Sequence, residues 1–456
     1  MTKSKYIIFT VCTLVIIATL FIPPFFGKGD DGSLYNILLE NGLYNADGSD
    51  TSFFNSFYGI SPSSPEEGFF PITIAKTICA FVSTTIFDIR FLSLLYLPVY
   101  LAGMFLILKS IHIKHPIAEI AICIVTSVML CDIGYISYVN SLYHEALYLS
   151  FFLLLTGSVM NIKEENGLNP VCAVLALLSV AVLSFKGIDG ALPGIFVGIA
   201  LILFPIISKK ISVSSVVCGI LSVLIAFTVV FTSSTSGGTP LSLYGRVMNG
   251  ALYETETPEE DLGKLGIDTK YAQFSGVSYY DAIKEDGALN PAFSEELKKA
   301  DRGNVLSFYL KNPKRFTNVI SSAGKNAPFL TQSYISTKQN TYYGIKIAPF
   351  LWSYCRRFLT PGSALIIFAV AIAVFVLAFL ISGKNGNAAL GGIVLSTACI
   401  VFFISPILQS GLMNISRSLI LHQIATDLMI ILIISYAVNM ALTKRQELKD
   451  KYGVNQ

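Results

Sequence analysis

Charge is what this chain has least of. Only 13% of its 456 residues are Asp, Glu, Lys or Arg, where a soluble domain carries about a quarter. With 53% hydrophobic residues and a mean hydropathy of +0.64, a water-soluble globular fold is excluded. The 32 basic and 29 acidic residues nearly cancel and form no basic cluster, which argues against a nucleic-acid partner. Histidine is scarce too. The four are dispersed, and no His-rich metal site is visible. The eight cysteines show neither metal nor redox spacing. Cys12, Cys123, Cys172, Cys218 and Cys399 lie inside apolar runs, where a small buried residue is the expected role, so disulfides are not implied. One tryptophan stands against 32 Phe and 22 Tyr, a balance that suits lipid interfaces. Tandem repeats and low-complexity tracts are also missing.

What is present is a series of apolar runs of membrane length. Tyr6 to Phe26 follows Lys3 and Lys5, and Pro23-Pro24 with bulky phenylalanines replace the small residues of a cleavage site. An uncleaved first helix is expected, its N-terminus in the cytoplasm. Residues 27–70 read as a polar outer loop, within which Leu34 to Leu43 has the spacing of a short amphipathic helix. Pro71 to Asp88 is apolar but broken by Lys76 and a Ser-Thr-Thr cluster, so it either spans or lies along the interface. The positive-inside rule decides. With 71–88 outside, later spans fall near 91–108, 117–134, 146–161, 171–186, 190–207, 211–232, 362–382, 388–407 and 424–443. The short cytoplasmic loops then hold Lys109, Lys114, Lys163, Lys209, Lys210, Lys384, Lys444 and Arg445.

The expected fold is thus all-α and polytopic, with about ten transmembrane helices and both termini inside. An N-terminal transmembrane module (1–232) would carry the first outer loop (27–90). A small, mainly helical outer domain (233–361) and C-terminal helices with a cytoplasmic tail (362–456) would follow.

Polarity concentrates where those spans meet the outer face. Asp30-Asp31-Gly32-Ser33 directly follows the first helix. Two carboxylates there can hold a general base, although Asp, Gly and Ser more often make a turn and helix cap. The stretch Cys131 to Ser150 packs Asp132, Tyr135, Tyr138, Asn140, Ser141, Tyr143, His144 and Glu145 between apolar runs. Such a cluster of amide, carboxylate and phenol groups can bind hydroxyls, against the plainer reading of a tyrosine belt. Lys186 and Arg417 are cations at the outer boundary, with His422 and Asp427 close behind Arg417. Arg can grip phosphate bidentately; the alternatives are snorkelling or an ion pair with an outer carboxylate. Arg356-Arg357 reads as an interfacial anchor, with phosphate contact as the second choice.

The segments DGSLYNILLENGLY, FNSFYGISP, DIGYISYVNSLYHEALYLSFFLLL, GRVMNGALYETE, LSFYLKNPKRF and MNISRSLILHQIATDL resemble GT-C-fold glycosyltransferases. Within these they resemble the glycan-biosynthesis hexose transferase family of bacterial surface-layer glycan assembly. The resemblance implies inverting transfer, outside the bacterial cytoplasmic membrane, of a hexose from a polyprenyl-phosphate donor to a glycan or lipid-linked acceptor. It gives the role of base to Asp31, with Asp30 second. Asp132 and Glu145, among Tyr135, Asn140, Tyr143 and His422, would contact substrate. Arg417, aided by Lys186, would neutralise the leaving phosphate. No cofactor is certain, and dependence on a divalent metal ion varies within the fold class.

The other class considered is a transporter or flippase of lipid-linked glycans. That function calls for polar groups at mid-membrane on broken helices, often in duplicated halves. A scaffold presenting 233–361 as a binding domain is a third.

Overall fold

The structure, a computed structural model, describes residues 2–22, 26–29, 33–45, 56–62, 68–164, 167–207, 213–233, 240–279, 281–282, 291–326, 351–359, 363–381 and 386–452. Helix dominates because an uninterrupted apolar segment can satisfy its own backbone polar groups only by coiling. Among the described residues, six helices are long and apolar enough to cross a membrane. They are, or lie within, α1 (Lys3–Phe21), α4 (Arg90–Ser110), α10 (Val213–Ser233), α17 (Ala364–Ile381), α18 (Gly386–Ser410) and α20 (Ile420–Tyr452). A seventh arises if α5 (Pro116–Leu130) and α6 (Ile133–Val139), bent by 54°, count as one span. The apolar helices α7 (Glu145–Val159), α8 (Pro170–Ser184) and α9 (Ile188–Ile207) pack among them. The chain is a polytopic membrane protein.

The ambiguous apolar segment resolves into α3 (Phe70–Cys79), ten residues long. At 1.5 Å per residue it covers about 15 Å, half the hydrocarbon thickness, and cannot cross by itself. The rest of the 27–90 region adds α2 (Leu34–Glu40) and a small antiparallel sheet that the all-helical expectation omitted. Strands β1 (Leu43–Tyr44), β2 (Phe57–Ile60) and β3 (Ile86–Asp88) pair in that order, with Leu43 opposite Ile60 and Tyr58 opposite Phe87. Strands of two to four residues are too short for an alternating pattern to register.

Close backbone contact sets the helix packing. A Cβ on Gly103 of α4 would lie 2.7 Å from the backbone of Leu153, and one on Gly157 of α7 would lie 2.8 Å from the Gly103 carbonyl. Small residues at a crossing admit this approach. At the start of α1, Lys5 is buried; its ammonium pairs with Glu119 at 2.7 Å and donates to the Ile111 carbonyl. The cation is thereby compensated at the end of α1 away from the first loop.

A second core lies outside the main bundle. It is built from α11 (Pro240–Arg246), the π-helical turn Val247–Ala251, α12 (Pro258–Leu265), α13 (Pro291–Lys298), α14 (Arg302–Lys311) and α15 (Pro313–Asn326). Phe403, Ile407, Ile415 and Leu419 belong to the same core, so it is seated on the end of α18. The seat is tight. The Leu412 amide donates to the Asn249 carbonyl at 3.1 Å, and Arg246 donates to Gln409 and Ala300 carbonyls. Gly411 has φ +61°, and a Cβ there would fall 2.4 Å from the Gly245 carbonyl. Both the left-handed backbone and the missing side chain are required. Gly411→Val is expected to cost about 3 kcal/mol through overpacking and backbone strain. The measurement is thermal unfolding in nanodiscs, with protease sensitivity of 252–326 as a second readout. A variant as stable and as resistant as wild type would show that this seat is not tight.

Candidate functional site

Two polar clusters grow from the stretch 131–145, where α5 breaks into α6 and then turns into α7. The first is buried. Asp132 caps α6 by accepting the Gly134 amide at 2.9 Å. It also accepts the backbone amide and hydroxyl of Ser353, each at 2.8 Å. Ser353 belongs to α16 (Leu351–Leu359). On the same helix, Trp352 Nε1 donates to Asp427 at 2.6 Å, and Arg356 Nε donates to both its oxygens at 2.9 and 3.0 Å. Tyr135 donates to Asp427 at 2.6 Å and accepts from Arg356, whose guanidinium lies 5.0 Å from the Tyr135 ring centre. Arg356 and Asp427 are 1% and 0% exposed, so this ion pair is fully withdrawn from solvent. Asp132 and Tyr135, expected to contact substrate, are here engaged in tying α6, α16 and α20 together. Arg356, expected as an interfacial anchor, is instead the centre of that tie, because a guanidinium inside the bundle needs a carboxylate beside it.

The second cluster gathers segments far apart in sequence. Asn140 donates to the Phe26 carbonyl at 2.9 Å and accepts from Ser93 of α4 at 2.9 Å. Lys28 donates to the Tyr138 hydroxyl at 2.8 Å. Tyr143 donates to the Gly29 carbonyl at 3.0 Å. Arg417 donates to the Ser33 hydroxyl, pairs with Glu145 at 3.3 Å and lies 4.8 Å from the Tyr143 ring centre. Its position follows from local backbone. Gly411 and Asn414 both take left-handed conformations, φ +61° and +50°, and reverse the chain into the short helix α19 (Ile415–Ser418). Asn is one of the few residues with a side chain that tolerates this conformation.

Asp30 and Asp31 lie outside the described residues. Their neighbours do not: Gly29 is held by Tyr143 and Ser33 by Arg417. The structure therefore brings Asn140, Tyr143 and Arg417 against Phe26, Gly29 and Ser33, with Glu145 on Arg417. It does not bring His422 to them. That ring is buried between α18 and α20, Nδ1 2.7 Å from the Cys399 carbonyl, in edge contact with Phe403. Lys186 sits over the Tyr148 ring at 5.2 Å, one turn along α7 from Glu145.

Beside this cluster His144 is half-buried and stacks on Phe69 with ring centres 3.9 Å apart. Burial holds its imidazole down at about 4; Glu145 opposes that shift, while Arg417 and Lys186 add to it. Among the described residues no three of His, Cys, Asp and Glu lie together to hold a metal ion. Sequence reasoning missed Lys28 and Ser33, whose partners are over a hundred positions away. It also missed the role of Asp427, although an acid inside an apolar span is itself a signal.

What the second cluster can do is limited and specific. A guanidinium faces a carboxylate, a phenol ring and a hydroxyl at the ends of the helices, which suits an anionic oxygen together with neighbouring hydroxyl groups. These features define a polytopic membrane protein with a built polar site at the ends of its helices. The chain belongs to the family described as the YfdI N-terminal transmembrane domain, whose model matches residues 2–454. No curated protein and no solved structure matches it.

The buried pair gives a stability prediction. Arg356→Met or Asp427→Leu alone leaves an uncompensated buried charge and is expected to cost about 3–5 kcal/mol, whereas the double variant recovers most of it. Thermal unfolding of the three variants in nanodiscs measures this. A double variant no better than the worse single would show that the pair is not the relevant unit.

Proposed function

We propose that this protein is a GT-C-type membrane glycosyltransferase with ten spans and both termini in the cytoplasm. It moves a hexose from a polyprenyl-phosphate donor to a cell-surface glycan or lipid-linked acceptor, with inversion, outside the bacterial cytoplasmic membrane. The observation that carries this reading is the clamping of both flanks of Asp30-Asp31, Gly29 by Tyr143 and Ser33 by Arg417. Those described flanks meet a phenol and a guanidinium, and a carboxylate acting beside them would complete what a single displacement needs. Asp31, with Asp30 as the alternative, takes the proton of the acceptor hydroxyl. The resulting oxygen bonds to the anomeric carbon as the carbon–oxygen bond to phosphate breaks. The lipid phosphate leaves with the electron pair, its charge met by Arg417 with Lys186 nearby. Glu145 orients sugar or acceptor hydroxyls, and Asn140 holds the chain at Phe26 in place beside it. The segment 233–361 forms the outer domain above the site, between the N-terminal module 1–232 and the C-terminal helices 362–456.

Two observations favour the other class. The bent pair α5–α6 and the buried Arg356–Asp427 pair resemble the broken helices and internal charges of a transporter. Against it, Asp132, Tyr135 and Asp427 are all bonded to neighbouring helices, which locks elements rather than lining a path.

Purified protein incubated with a panel of polyprenyl-phosphate hexoses and the cell's own lipid-linked or protein-linked glycans is expected to transfer sugar. Asp31→Asn should abolish transfer with folding intact, and Arg417→Ala should weaken donor binding by about tenfold or more. Full activity in Asp31→Asn removes that residue as base. Sugar movement across vesicle membranes without transfer would favour the transporter. The orientation is checked separately: a cysteine at Ser275 should react with an impermeant reagent added to intact cells, and its protection would reverse the topology.

A further inference from the structure

His144 takes part in neither the proposed displacement nor the buried network, yet it is placed with care. Its neighbours in sequence, Tyr143 and Glu145, both contact Arg417. The ring plane is fixed by the stack on Phe69, and Phe69 is itself fixed by its amide, which donates to Asn41 at 2.8 Å. Nε2 is covered, and among the described residues it has no hydrogen-bond partner. A buried polar nitrogen left unpaired is costly, and proteins keep one where something else completes it.

We propose that His144 is a further substrate-contacting residue, its Nε2 hydrogen-bonding a phosphate oxygen of a lipid monophosphate seated on Arg417. This rests on the reading that the site takes a lipid-linked phosphate. Arg417 and Lys186 are the cations that act on the ring, and Glu145 is the acid. Set among them and desolvated, the imidazole is neutral at physiological pH, so it carries one N–H to donate. A neutral donor adds a hydrogen bond to an anion without another buried charge to compensate. Reaching a covered nitrogen requires a neighbouring group to shift, and the Glu145 contact to Arg417 is one with which an incoming anion competes directly. The stack on Phe69 pre-orients the donor, so little freedom is lost when the ligand arrives.

The test uses the full chain in nanodiscs with ¹⁵N-labelled histidine and undecaprenyl phosphate as the probe. Only four histidines are present, and His144→Phe assigns the resonance by its loss. Binding is measured in parallel by retention of radiolabelled undecaprenyl phosphate. The His144 signal should shift saturably as the lipid binds. His144→Phe, which keeps the stack and removes the unpaired nitrogen, should bind about tenfold more weakly while its thermal stability holds or rises. A merely structural histidine would not separate those two readouts. If wild type retains the lipid while the His144 signal stays still, or His144→Phe binds like wild type, the proposal is overturned and the reading of the site stands. If wild type retains none, the reading of the site fails and the role of His144 falls with it.

Discussion

A charged group withdrawn from water must find its counter-charge inside the protein, and that constraint sorts the polar residues of this chain. At one end of α1, Lys5 is buried against Glu119. Within the bundle Arg356 is buried against Asp427. At the other end of α1, Arg417 lies against Glu145. Each pair joins segments separated by tens to hundreds of residues, so each also fixes which helices are neighbours. Hydrophobic burial is a weak guide to helix pairing in lipid, because lipid tails are as apolar as leucine. Close glycine contacts and paired charges supply the specificity instead.

The stretch 131–145 links two of these pairs, and its two halves have different work. Asp132 and Tyr135 turn inward and bind α16 and α20. Tyr138, Asn140, Tyr143 and Glu145 turn toward the chain that follows α1 and toward Arg417. The break between α5 and α6 makes this division possible, since a continuous helix could not present both sets. Rigidity in the first half gives the second half a fixed frame on which to hold the loop.

The membrane character and the position of most helices were legible because long apolar runs have one stable solution in lipid. That Glu145 and Arg417 meet was legible from the placing of polar residues at helix ends; Asp31, the third residue expected with them, lies outside the described residues. Three things were not. The sheet of Leu43, Phe57–Ile60 and Ile86–Asp88 has strands too short to show a period. Asp132 and Tyr135 looked the same in sequence as Tyr143 and Glu145, because which half of a polar stretch faces inward depends on the bend after Leu130. His422 looked adjacent to Arg417, but the turn into α20 points it between helices. Sequence proximity and spatial proximity part company at chain reversals, here at the left-handed Gly411 and Asn414.

Under the proposed function, the Arg417–Glu145 pair has a role that a plain structural ion pair does not. A guanidinium this sheltered, its side chain 16% exposed, is costly without a nearby anion. Glu145 meets that need when no phosphate is bound and keeps Arg417 over the Tyr143 ring. On the proposed reading, an incoming phosphate brings its own charge and takes over as counter-ion. Glu145 is then free to accept a hydrogen bond from a sugar or acceptor hydroxyl close to the reacting centre. On that reading, the ion pair expected as the plainer alternative and the phosphate contact expected as the functional one would be successive states of the same three groups.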